Sequence, residues 1–91
     1  MAEEILLAHR AIELAMRIST ETTANAWLDY SGHCDVVGAM YTPDEWNGWR
    51  DENNKAKSNS VNIVISSKAT AKTLQYIVDC FEFIYAVAER K

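Results

Sequence analysis

The stretch Asn25-Ala26-Trp27-Leu28-Asp29-Tyr30-Ser31-Gly32-His33-Cys34-Asp35-Val36-Val37-Gly38-Ala39-Met40-Tyr41 decides the fold. From Asn25 to Ser31 the residues alternate as a strand requires, because strand neighbours point to opposite faces of a sheet. Ser31-Gly32 reads as a turn, and a second extended run follows from about Cys34 to Tyr41. The two runs predict a hairpin. Ala26, Leu28 and Tyr30 form its expected core face, joined either by Val36 and Met40 or by Val37, Ala39 and Tyr41. The register is ambiguous on this pattern, and a bulge near Asp35 would settle it in favour of the second set.

Upstream of the hairpin, Ile5, Ala8, Ile12 and Ala15, with Leu7, Ala11, Leu14 and Ile18, recur at helical spacing and predict a helix from Ala2 to about Thr20. His9, Arg10, Glu13 and Arg17 gather on its opposite side, where Glu13 pairs with Arg17 at i,i+4. Leu6 projects among these charges. Thr20, Thr22 and Thr23 then lower helix propensity.

Downstream, Thr42-Pro43-Asp44-Glu45 has the form of a capping box, and Gly48 is placed to stop a single helical turn. The polar segment to Ser60 reads as a surface loop, and Val61, Ile63 and Ile65 as a third strand. Ser66 or Ser67 is the expected cap of a last helix running from about Lys68 to Arg90. The expected architecture is α+β: helix, three antiparallel strands, helix (αβββα), both helices on one sheet face.

With 91 residues and no long polar linker, the chain reads as one α+β domain over 1–91. Its hydrophobic fraction of 48% supplies a core, although so short a chain leaves much surface unburied. Glu3 and Glu4 stand where a secretory signal needs positive charge, and no apolar run approaches the roughly 18 residues of a membrane span. A cytoplasmic protein away from membranes is expected. Cys34 and Cys80 make no disulfide framework and read as reduced thiols.

The net charge of −4 is unevenly spread: residues 1–52 carry ten acids against three arginines, whereas residues 53–78 carry four lysines and no acid. An acidic first half argues against wrapping a polyanion, and the basic middle leaves room for a local phosphate contact.

The run Ala26-Trp27-Leu28-Asp29-Tyr30-Ser31-Gly32-His33, continued by Tyr41 and Gly48-Trp49, resembles a pattern in small uncharacterised phage and prophage proteins: an aromatic strand, Gly-His, an alternating strand, then Gly-Trp. It covers about residues 25–50, and Cys34 stands where those proteins usually have valine. The resemblance implies a mobile-element origin and a compact α+β fold, and carries no activity with it. In topology alone the chain is also similar to double-stranded-RNA-binding domains. Lys68 and Lys72 match that family's helix-start lysines loosely and Gly32-His33 its loop, but the loop proline is absent, Ala69 follows Lys68, and the last helix is bulkier.

His33-Cys34-Asp35 sets a base, a thiol and a carboxylate side by side, yet neighbours on a strand diverge, so the segment reads as a hairpin end with a small buried thiol. The two cysteines and two histidines lack the close spacing of a zinc site. No catalytic residue, metal or cofactor is expected. Trp46 and Trp49, large rings in a polar segment, either fold back or meet a partner. Lys68 and Lys72, with His33, are candidates for an anion.

On the last helix, Leu74, Tyr76, Ile77, Val78, Cys80, Phe81, Phe83, Ile84, Tyr85, Val87 and Ala88 cover about 220° of the circumference, where a surface helix needs little over 100°. The first helix takes one flank, with Val78 and Tyr85, which leaves Tyr76, Phe83 and Val87 for a second chain or, alternatively, for the Trp46–Trp49 loop folded over them within one chain. The expected function is that of a non-enzymatic interaction protein that binds another macromolecule, with Trp46, Trp49, Tyr76, Phe83 and Leu6 as partner-binding residues. An unidentified protein partner and a homodimer through the C-terminal helix are expected. The alternative is a nucleic-acid or phosphate-ligand binding module.

Overall fold

A computed structural model describes residues 2–43 and 61–91. The order is α1 (Ala2–Glu21), β1 (Asn25–Ser31), β2 (Val36–Thr42), β3 (Asn62–Lys68) and α2 (Ala71–Val87). The three strands form an antiparallel sheet in the order β1-β2-β3, and both helices lie on one of its faces. The expected αβββα architecture is the observed one. The Thr42-to-Gly48 turn, apart from Thr42 and Pro43, and the loop to Ser60 lie outside the described residues, as do Trp46 and Trp49.

α1 buries Ala11, Leu14, Ala15 and Ile18, while Ile5 and Ile12, expected on its apolar face, are exposed. Its end is built by threonines turning their hydroxyls back onto the helix, the competition with backbone bonding that makes threonine a poor helix interior residue. Thr20 donates to the Met16 carbonyl at 2.7 Å. Thr22, fully buried, donates to the Ile18 carbonyl at 2.6 Å and accepts from the Ala24 N–H at 3.1 Å.

The hairpin takes the second of its two possible core faces. Tyr30 pairs with Val37, Leu28 with Ala39 and Ala26 with Tyr41, and Val37 and Ala39 are buried against the helices. The device that sets this register is a turn over Gly32-His33-Cys34-Asp35, in which Asp35 adopts a left-handed φ of 53°. Asp tolerates that conformation better than most side chains. Cys34 therefore lies in the turn, exposed, and is not the buried strand thiol that alternation suggested. Tyr30 is also displaced from the core: it is 57% exposed, with its hydroxyl donating to the Asp35 carboxylate at 2.8 Å.

A second irregularity lies in β3. Ala39 pairs with Ile65 but Met40 pairs with Ile63, so Val64 is the extra residue of a bulge. Val64 and Ile65 both pack against the core, whereas Ile63 turns outward and is 72% exposed. Strict alternation would set Ile63 on the same face as Ile65, and the bulge reverses that parity.

α2 starts later than its serines suggest. Ser66, Ser67 and Lys68 complete β3, and Thr70 is the N-cap, accepting from the Thr73 N–H at 3.2 Å. The helix ends at Val87, not Arg90. Glu89–Lys91 instead run back beside the end of α1: Thr23 N–H donates to the Glu89 carbonyl at 2.8 Å and Lys91 N–H to the Glu21 carbonyl at 3.1 Å. Leu74, Ile77, Val78, Phe81 and Ile84 of α2 complete the core.

Candidate functional site

α2 has two flanks on either side of its buried stripe. The flank toward α1 is closed. Val78 is buried, and the Tyr85 hydroxyl donates to the Glu21 carboxylate at 2.5 Å while the Arg90 guanidinium lies 4.1 Å from the Tyr85 ring centre. Arg10 reaches Glu82 at 3.7 Å. Tyr85, then Glu13 and Glu21, push the Arg17 guanidinium above its ordinary value, and Glu13 holds Arg17 at 3.1 Å, the pair expected from spacing.

Among the described residues, the flank toward β3 is open. Phe83 is 68% exposed, Val87 64% and Tyr76 49%. Cys80 lies between them, and its sulfur raises the Tyr76 phenol above its ordinary range. A groove separates this flank from β3 and is lined by Tyr76, Cys80 and Phe83 on the helix and Tyr41, Ile63 and Val64 on the sheet. Ile63 was missed as a surface residue, because only the bulge turns it outward.

The structure thus joins Tyr76 and Phe83, as the sequence suggests, and adds Ile63 to them. Leu6 is exposed, but on α1, and is not part of this flank. A smaller patch formed by Ile12 and Met16 on α1 is interleaved with His9, Glu13 and Arg17.

The anion candidates lie at one end of the sheet. Lys68 pairs with Val36 directly after the hairpin turn, and the Ala69 N–H donates to the Asp35 carbonyl at 2.9 Å, which brings the His33 turn beside the start of α2, where Lys72 occupies the first turn. The acid Asp35 stands in the same place. His33 Nδ1 lies 3.3 Å from the Ser31 hydroxyl, and Cys34 reaches only the Ser31 carbonyl at 3.9 Å. The turn's base and acid are thus engaged in local contacts, His33 with Ser31 and Asp35 with Tyr30.

Among the described residues, no group of three His, Cys, Asp or Glu side chains is placed to hold a metal ion, and no helix is long and apolar enough to cross a membrane. No protein-family model, curated protein or solved structure matches the chain.

Proposed function

We propose that this chain is a non-enzymatic interaction protein of phage or prophage origin, acting in the cytoplasm by binding another macromolecule through the open flank of α2. The observation that carries the reading is the exposure of Tyr76, Phe83 and Val87 on one side of a helix whose other side is fully engaged. Large aromatic side chains are the usual anchors of protein interfaces, and contiguous exposed apolar surface is a feature of binding sites. Self-association through the C-terminal helix is part of this reading, alongside a protein partner. Leu6, Trp46 and Trp49 are further candidates for the contact. The free thiols Cys34 and Cys80 accord with a reducing compartment.

Light scattering at micromolar concentration tests self-association. The expected mass is twice that of the 10.3 kDa chain, and Phe83→Glu is expected to yield folded monomers with unchanged circular dichroism. A wild-type mass equal to one chain counts against self-association. Capture of a host protein that Phe83→Glu leaves undiminished counts against the flank itself.

The second reading, an anion or nucleic-acid binding module, has in its favour the placement of Lys68, Lys72 and the His33 turn near the start of α2. Asp35 in the same place and the surplus of acids over residues 1–52 weaken it.

A further inference from the structure

The exposed residues of α2 follow a spacing with a specific geometric meaning. Tyr76, Cys80, Phe83 and Val87 stand four, three and four residues apart, the alternation that lets one helix form a seam with another. They make a second stripe beside the buried one, running most of the length of a 17-residue helix. The stripe alternates bulky and slim: Tyr76 and Phe83 are aromatic, and Cys80 and Val87 are small. A parallel, in-register copy would set Phe83 against Phe83 and leave Cys80 facing Cys80. In an antiparallel copy with its two-fold axis near Phe81 and Glu82, Phe83 meets the small Cys80 and Tyr76 meets Val87, so that each layer pairs one large side chain with one small one. Such pairing fills space without voids or clashes, and a two-fold closes the assembly with no exposed seam left over.

Two features of the surroundings fit this arrangement. Glu89–Lys91 turn away to pair with the end of α1, so the tail does not obstruct a helix lying along the seam. Ile63, turned out by the β3 bulge, borders the far side of the same groove and leaves it open to a second helix. The exposed parts of Tyr76, Phe83 and Val87 amount to on the order of 350 Å², a substantial part of the roughly 800 Å² per partner of a standard interface. The bulge also makes the edge of β3 a poor template for strand-to-strand pairing beside this flank.

Resting on the reading of this flank as an interaction surface, we infer that its occupant is the α2 helix of a second copy, packed antiparallel so that Phe83 of each chain sits on Cys80 of the other. The test is disulfide mapping in a Cys34→Ser, Phe83→Cys variant, which keeps Cys80 and places a second thiol at an exposed position. Mild oxidation at micromolar concentration is expected to give a covalent dimer. Proteolysis after Glu82 separates the two thiols, and the isolated dimer is expected to yield fragments linked Cys80 to position 83. Links between like positions overturn the antiparallel arrangement and leave the flank as the dimer interface. If the thiol pair weakens association too far for a covalent dimer to form, wild-type light scattering decides: a dimer that Cys80→Trp disrupts, by filling the space Phe83 needs, supports the inference, and a dimer indifferent to Cys80→Trp overturns it. A monomeric wild type overturns the second copy as occupant, and whether the flank binds anything else is then read from partner capture by the wild type against Phe83→Glu.

Discussion

The two flanks of α2 are both apolar and opposite in fate. Val78 and Tyr85 on one side are covered by α1 and sealed at the rim by the Tyr85 to Glu21 hydrogen bond, the Arg90 cation over the ring, and the Arg10 to Glu82 pair. Tyr76, Phe83 and Val87 on the other side meet an open groove and the outward Ile63. Burying an apolar side chain of this size contributes roughly 1.5–3 kcal/mol, so the first flank has realised its contribution within the chain and the second has it still available for association. The comparison separates residues that hold the fold from residues of equal hydrophobicity that do not.

The largest expected effect belongs to the stripe between the flanks. Phe81 is fully buried, and Phe81→Ala is expected to destabilise by about 3–5 kcal/mol, combining lost transfer energy with the cavity left behind. Urea denaturation measures it. A loss below about 1 kcal/mol would place the core elsewhere and remove the contrast between flanks.

A smaller effect is expected at the closed flank. Tyr85→Phe keeps the ring under Arg90 and removes the hydroxyl bonded to Glu21, which is worth about 0.5–1.5 kcal/mol. The same denaturation series reads it, and Glu21→Gln in a double-mutant cycle isolates the coupling between the two groups.

The smallest stability effect is expected at the open flank. In a solution dilute enough to hold single chains, Phe83→Ala should change stability by no more than about 0.5 kcal/mol, as surface substitutions do. At higher concentration it should weaken association. A loss comparable to that of Phe81→Ala under dilute conditions would show Phe83 to be covered within its own chain and would erase the asymmetry.

Much of this asymmetry is legible in the residues. An apolar arc of about 220° is wider than one sheet face can cover, and helical spacing alone assigns Val78 and Tyr85 to one flank and Tyr76, Phe83 and Val87 to the other. The Glu13–Arg17 pair and the exposure of Leu6 follow from the same periodicity. Ile63 is the part of the site that periodicity could not give, because a one-residue bulge inverts every inside-outside assignment beyond it and leaves no mark in composition.

The order of elements, the hairpin and the surplus apolar face of α2 are thus determined by the sequence itself, since period 2 and period 3.6 are local properties that a chain displays without its neighbours. Three things were decided only by the tertiary structure. The hairpin register follows from the left-handed Asp35, which selects Val37 and Ala39 over Val36 and Met40 and puts Cys34 in an exposed turn. The start of α2 falls at Thr70 because pairing with β2 draws Ser66, Ser67 and Lys68 into β3 before the helix begins. Its end falls at Val87 because Glu89–Lys91 find backbone partners on Glu21 and Thr23. The last two are competitions for backbone hydrogen bonds between segments distant in sequence, about which local propensity holds no information, and the first turns on a single backbone conformation that strand alternation does not encode.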